Sequence, residues 1–234
     1  MSVFKFKYFD VLQSDVLQKV GTDAMVLGAL VEAENPKHIL EVGTGTGVIA
    51  LMLAQVFENA QITALDVDEK AIQISETNFR NSPFKNRLSV VHENFLSYSK
   101  NSFFDLIVSN PPYFNTQMLS EDAQRNLARH EGNMSVKDLI VHANSLLTMS
   151  GKLALILPTE RTIDLLNMEK DFQLHLLKRI KIYGKPDKHV RDVLFFSKNE
   201  KKQLSTETFV IRDEKGFYST QYKEKTREFH CREV

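Results

Sequence analysis

Cysteine is almost absent: Cys231 is the only one in 234 residues. A single thiol can neither close a disulfide within the chain nor build a cysteine metal cluster. No charge of one sign is in excess, since 30 Lys and Arg balance 30 Asp and Glu. That balance neither favours nor excludes a nucleic-acid partner, which requires only that basic residues gather on one face. Long apolar runs are missing too. The opening Met1-Ser2-Val3-Phe4-Lys5 lacks the apolar core of a signal peptide, and no uncharged stretch is long enough to span a bilayer. Internal repeats, low-complexity stretches and long linkers are also lacking. What remains is a soluble cytoplasmic protein, expected as a monomer, with enough apolar residues for one domain and a sizeable core.

Hydrophobic patterning gives the architecture. Phe4-Lys5-Phe6-Lys7-Tyr8-Phe9 alternates aromatic with basic or polar residues, the pattern of a half-exposed strand. Thr22-Asp23 resembles a helix start ahead of the apolar run from Ala24 to Leu30. From His38 the rhythm is strand and helix in alternation. Strands are expected over 38–42, 61–65, 88–91, 104–108 and 152–157, with helices over 48–57, 68–81 and 135–148. Such alternation implies crossover connections and an α/β fold whose parallel sheet is covered on both faces. After Pro158 the rhythm changes. A helix over 159–170 precedes strand-like runs over 174–183 and 192–197, joined through Gly184, Lys185 and Pro186. These predict an antiparallel pair closing one edge of the sheet. A strand-like Thr208-Phe209-Val210-Ile211 and a polar helical tail follow.

Glu41-Val42-Gly43-Thr44-Gly45-Thr46-Gly47 falls between a buried strand and a helix start. Glycines there let the backbone turn tightly and let a ligand approach without a Cβ clash, and the helix start offers free amides. The next strand ends in Asp66, where a carboxylate can accept from both ribose hydroxyls. A nicotinamide dinucleotide is one reading. Its fingerprint is G-x-G-x-x-G, however, and here the third glycine comes one residue early. Glu41 would also repel a pyrophosphate, while suiting the cationic end of S-adenosylmethionine. A plain strand-to-helix turn without a ligand is the third reading.

Asn110-Pro111-Pro112-Tyr113 follows the apolar run Phe104 to Val108, at the carboxyl end of a strand, where doubly wound sheets bind ligands. An exocyclic aromatic amine is a poor nucleophile because its lone pair is delocalised into the ring. Two acceptors aimed at its hydrogens, the Asn110 side-chain oxygen and the Pro111 carbonyl, can draw that pair toward a methyl group. The double proline stiffens the backbone, and Tyr113 can stack on the planar acceptor. Catalysis of this kind works by alignment and fixed dipoles. Asn-Pro-Pro is also a common surface turn.

Taken together, Glu41 to Gly47, Asp66 and Asn110 to Tyr113 resemble the class I S-adenosylmethionine-dependent methyltransferases that act on amino or amide nitrogens, over residues 38–197. The flanks narrow this. Phe4-Lys5-Phe6-Lys7, the stretch Lys19 to Ala29, and Phe209-Val210-Ile211-Arg212 with Tyr218, Ser219 and Tyr222 are similar to the bacterial tRNA1(Val) adenine-N6-methyltransferases, which modify the adenine beside the anticodon. The resemblance implies a Rossmann-like, mostly parallel seven-stranded sheet with an antiparallel edge hairpin. It implies one domain, with 1–37 covering the substrate and cofactor, 38–197 as catalytic core and 198–234 as C-terminal extension. The implied catalytic turn is Asn110, Pro111, Pro112 and Tyr113. The implied cofactor contacts are Glu41, Gly43, Thr44, Gly45, Gly47, Asp66, Val67, Asn94, Asn110 and Thr22. Asn94 stands where relatives often carry an acid, and Thr22 has a simple helix cap as its alternative. Guanine-N2 methylation of ribosomal RNA, glutamine-N5 methylation of release factors and non-catalytic RNA binding are the rivals. Only about forty residues precede the glycine turn, too few for the helical module of the glutamine enzymes.

Arg129-His130-Glu131 has no second histidine at helical spacing, so a zinc-protease reading fails and no metal is expected. The segment reads as a solvated loop or as a flap with Arg129 on a phosphate. Lys178, Arg179, Lys181, Lys185, Lys188, His189 and Arg191 form a basic concentration, extended by Lys198, Lys201 and Lys202. It serves either to protect an edge strand or to track RNA. Lys185, Lys188 and Arg191, with Lys5 and Lys7, are the candidate tRNA contacts.

Overall fold

A computed structural model of the chain describes residues 2–13, 17, 19–111, 134–167, 172–199 and 203–231. The chain opens with an antiparallel hairpin, β1 (Ser2–Lys5) against β2 (Asp10–Gln13). The alternation predicted one strand running through Phe9, but the chain reverses inside it. The Phe6 amide donates to the Phe9 carbonyl at 2.9 Å, and the two rings stack with centroids 4.4 Å apart. Turning at Lys7 and Tyr8 lets both phenylalanines enter the core while the polar pair stays exposed.

The following elements are α1 (Thr22–Leu30), β3 (His38–Val42), α2 (Val48–Val56), β4 (Gln61–Asp66), α3 (Glu69–Arg80), β5 (Leu88–His92), β6 (Phe104–Ser109), α4 (Val136–Leu146) and β7 (Leu147–Pro158). Then come α5 (Thr159–Asn167), β8 (His175–Lys185), β9 (Lys188–Ser197), β10 (Ser205–Val210) and α6 (Thr220–Thr226). Local chemistry sets several starts. Asp68 caps α3, its side chain accepting from the Lys70 amide at 2.8 Å. Ser135 and Asp138 cap α4 reciprocally, each side chain accepting from the other's amide.

The main sheet has the order β10-β8-β9-β7-β6-β3-β4-β5, and only β9 runs against the rest among the described residues. The Rossmann-like α/β class expected from the alternation is what forms, with a correction at one edge. The sheet has eight strands, not seven, and the β8–β9 hairpin does not close it. β10 adds outside β8 in parallel register, Val210 opposite Tyr183. Burial of Phe209 and Ile211 drives this addition, at roughly 2–3 kcal/mol for each side chain taken fully from water.

Side chains alternate across the sheet into two cores. Ile39, Leu106, Val108 and Ile156 face α1, α2 and the N-terminal hairpin, and Phe209, Tyr222 and Phe229 from the C-terminal segment join the same cluster. Leu40, Ile107, Leu155 and Leu157 face α4 and α5 on the other side. From β3 the chain steps through β4 to β5, then returns to lay β6 on the other flank of β3. The order therefore reverses between β3 and β6, and the crevice at their carboxyl ends is the place such folds hold a ligand.

Candidate active site

Both motif segments leave the sheet at that reversal. Val42 is opposite Ser109, and the Ser109 hydroxyl donates to the Val42 carbonyl at 2.8 Å in a buried contact. The glycine turn and Asn110 thus start side by side, about 4.8 Å apart at their bases. Asn110 is half-buried and Pro111 buried. Pro112, Tyr113 and Arg129 lie outside the described residues.

The first three residues of the glycine turn are each bonded to the next strand. Gly43 and Thr44 donate to the Leu65 carbonyl at 2.9 and 3.0 Å, and Gly45 donates to Asp66 Oδ2 at 2.9 Å. Gly43, Gly45 and Gly47 have φ of 74, 54 and 80°, a region that side chains with a Cβ rarely enter. At Gly47 the reason is also packing, since a Cβ would come within 2.5 Å of the Phe79 ring. Among the described residues, a Cβ at Gly43 or Gly45 would meet nothing within 4 Å. The turn therefore presents a bare, open face toward the crevice, as a closely approaching ligand requires.

Glu41 sits beneath this turn, only 1% exposed. Its Oε2 accepts from the Thr44 hydroxyl at 2.6 Å and from the Ala50 amide at 3.2 Å, while Oε1 has no partner among the described residues. Burial pushes its carboxyl up to about 8, against the pull of the Thr44 and Ala50 hydrogen bonds, and neighbouring Asp66 adds to the rise. Glu41 thus places an acid at the N-terminus of α2, the position a dinucleotide's pyrophosphate would need. Once ionised, that acid would suit a cationic ligand better than a phosphate.

Asp66 ends β4 at the rim, half-buried. Besides Gly45 it accepts from the Asp68 amide at 3.0 Å through Oδ1. Each oxygen retains a lone pair, so two ribose hydroxyls can still donate to it. Val67 beside it is 39% exposed, an apolar surface at the rim. Asn94, after β5, accepts from the Leu96 amide at 2.9 Å in a local turn. Thr22 is exposed and opens α1, whose N-cap position is taken by Gly21 without a side-chain cap bond. Its neighbour Asp23 accepts from Arg191 Nε at 2.9 Å, and this pair ties the start of α1 to β9.

Register places the basic hairpin on the same rim. Pro158, the last residue of β7, is opposite Arg191, so residues 188–190 project beyond the carboxyl end of β7. Lys185 and Lys188 are exposed at that tip. Other members of the basic concentration are committed. Arg179 makes a two-point contact with buried Asp192 at 2.7 and 3.0 Å, and Lys178 pairs with Glu32 and Glu207, each at 2.9 Å. Lys5 is exposed, and Lys7 pairs with Glu228 at 2.8 Å. Two open concavities lie away from the Asn110-Pro111 turn. One of about 530 Å³ is bounded by Phe6, Tyr8, Leu12 and Asn78, and one of about 360 Å³ lies beside β5 near Lys85 and Ser89. Neither is lined by Asn110 or the glycine turn. Among the described residues no cluster of His, Cys, Asp and Glu could hold a metal, and no helix is long and apolar enough to cross a membrane.

Asn78 is the residue that sequence reasoning passed over. Its side chain bonds to both the glycine turn and β2, and it is 2% exposed. The signal was available, because Asn78 follows Ala71, Ile74 and Ser75 on the buried face of α3, where a polar side chain needs partners.

Comparison with known proteins agrees with this geometry. The methyltransferase small domain profile matches residues 17–180. A tRNA1(Val) (adenine(37)-N6)-methyltransferase of Flavobacterium johnsoniae is 37% identical over 98% of this chain and 100% of the relative. The protein of that name from Bacteroides thetaiotaomicron is 37% identical over 97% of this chain and 96% of its own length, and that of Tolumonas auensis 36% over 98% and 97%. Among solved structures, a predicted O-methyltransferase from Agrobacterium tumefaciens superposes with a TM-score of 0.70 at 16% identity, covering 91% of this chain and all of the other. Pyrococcus horikoshii TYW2 in complex with MeSAdo gives 0.53 at 14%, over 81% of this chain and 66% of that one, and both show the fold alone. With near-complete coverage at this identity, the chain belongs to the tRNA1(Val) (adenine(37)-N6)-methyltransferase family of the methyltransferase small domain fold.

Proposed function

We propose that this methyltransferase moves the methyl group of S-adenosylmethionine to the exocyclic N6 of adenine 37 in tRNA1(Val), in the cytoplasm. The observation that carries the reading is the departure of Asn110-Pro111 from β6 beside the open glycine turn at the strand-order reversal. The relatives' names point to the same substrate. The donor, when bound, supplies a methyl group on a positively charged sulfur.

The chain's own residues do the rest. Gly43 and Gly45 leave room for the donor's methionine portion, Asp66 accepts from its ribose, and Val67 lies against its flat ring. Thr44 and Glu41 keep the turn in place from below, and Asn94 and Thr22 border the pocket. The Asn110 side-chain oxygen and the Pro111 carbonyl accept from the two hydrogens of the adenine amine, which turns its lone pair toward the methyl carbon. Tyr113, with Pro112 stiffening the turn, stacks on a base taken out of its helix. The nitrogen–carbon bond forms as the carbon–sulfur bond breaks, S-adenosylhomocysteine leaves, and the extra amine proton passes to solvent. Lys185 and Lys188 meet RNA phosphates on the same rim, with Lys5, Lys7 and Arg129 as further contacts. Arg191 is less suited, since Asp23 already engages it.

The test is methyl transfer from labelled donor to tRNA, ribosomal RNA and release factor, with mass spectrometry of the digested product. N6-methyladenosine in tRNA is the expected result. Label in guanine of ribosomal RNA, in glutamine of release factor, or nowhere, contradicts the proposal.

A further inference from the structure

Asn78 joins two parts of the molecule that otherwise lie far apart in sequence. Its Nδ2 donates to the Thr46 carbonyl inside the glycine turn at 2.8 Å and to the Leu12 carbonyl of β2 at 3.0 Å. Its Oδ1 accepts from the Leu12 amide at 2.8 Å. The amide thus has both N–H groups and its oxygen engaged, in a site with almost no access to water. β2 then hands the connection on. Gln13, itself 7% exposed, accepts from the Val20 amide at 2.7 Å through Oε1, two residues before the start of α1. The start of α1 is in turn held to β9 by Asp23 and Arg191. A continuous polar frame therefore runs from Thr46 through Asn78, Leu12, Gln13 and Val20 to Asp23 and Arg191.

We infer that Asn78 is a positioning residue for the methyl donor, acting through the carbonyl of Thr46. The reason lies in the turn itself. Its three glycines hold left-handed backbone angles, and glycine gains more unfolded freedom than any other residue, so the turn keeps its shape only where bonds fix it. Leu65 and Asp66 fix its first half through Gly43, Thr44 and Gly45. Asn78 reaches the second half, at Thr46, next to the contact between Gly47 and Phe79. Buried polar networks of this kind specify one arrangement when every member is satisfied, and lose it when a member is missing. The same amide makes the N-terminal hairpin part of the donor site without touching the donor.

This inference rests on the donor reading above, and the parent protein's own binding of S-adenosylmethionine tests that reading separately. Asn78→Asp keeps the side-chain shape and the acceptor for Leu12 but loses both donors when ionised. Its dissociation constant for S-adenosylmethionine, by calorimetry at a temperature where parent and variant are both folded, is expected to rise at least tenfold. KM for the donor should rise with it, while kcat at saturating donor stays within about twofold, the pattern of lost ground-state binding. Lowering the pH protonates the introduced carboxyl and restores one donor, so the affinity of Asn78→Asp should rise relative to that of the parent at the same pH, Glu41 being protonated in both. Asn78→Ser, smaller and neutral, is the second variant should Asn78→Asp fail to fold. Leu176→Ala, in the opposite core and matched for lost thermal stability, should leave donor affinity unchanged. Donor affinity within twofold of the parent in the folded Asn78 variants, or an equal loss in Leu176→Ala, would overturn the inference.

Discussion

Glu41 and Asp192 are the two buried acids among the described residues, at 1% and 0% exposed, and the protein treats them in opposite ways. Asp192, in the basic hairpin half, is enclosed by partners: the Arg179 guanidinium grips both its oxygens and His189 lies 3.0 Å away. Glu41, in the donor half, has among the described residues only a hydroxyl and a main-chain amide for partners, and burial holds its carboxyl up near 8. The first arrangement locks β8 to β9 within the sheet. The second leaves an acid close to ionising beneath the pocket that receives a positively charged donor. A bound cation would favour the ionised form, so the donor's own charge and the Glu41 proton oppose one another.

The largest effect that would sharpen this contrast comes from the paired acid. Arg179→Met leaves Asp192 charged and buried without its main partner, which should cost about 3–5 kcal/mol of stability by chemical denaturation. A loss under about 1 kcal/mol would mean that the pair is not what holds the hairpin. Next come the exposed lysines of the tip. Lys185→Ala and Lys188→Ala should each weaken tRNA binding and lower the salt slope of affinity by about one. Arg191→Met, which breaks the pair with Asp23, should leave that slope unchanged. Identical slopes for all three variants would erase the distinction between free and committed cations.

The remaining comparison is pH-dependent and concerns Glu41. A carboxyl raised in the folded state contributes most below its unfolded value, near 4.5, and loses that contribution as pH rises through about 8. Glu41→Gln cannot ionise and keeps an acceptor for Thr44 and Ala50. Parent stability should therefore fall relative to Glu41→Gln between about pH 5 and about pH 9, as thermal midpoints would show. Parallel midpoints across that range would mean that Glu41 titrates normally.

What could be read in the sequence was local. The glycine turn, the acid ending β4 and Asn110-Pro111 after β6 each lie within a few residues of the strand that positions them, so spacing was enough to place them on the fold. The caps at Asp68 and Ser135 are local in the same sense. Pairing was not legible. Arg191 meets an acid 168 residues away and Arg179 one on the adjacent strand, and no run of charges tells a committed cation from a free one. The eighth strand was missed for a related reason: Thr208 to Ile211 looked strand-like, but which edge it joined depends on where Phe209 finds its core. Asn78 shows a third kind of gap, since helical periodicity marks its buried position but not the carbonyls it reaches.

The account depends most on two acceptors drawing out the lone pair of an adenine amine at the end of β6. Asn110→Ala removes one of them. With purified tRNA and saturating S-adenosylmethionine, the rate of N6-methyladenosine formation in a single turnover should fall roughly 10²–10³-fold, while calorimetry shows donor affinity close to that of the parent. Methylation at the parent rate would contradict the mechanism, whatever the donor affinity.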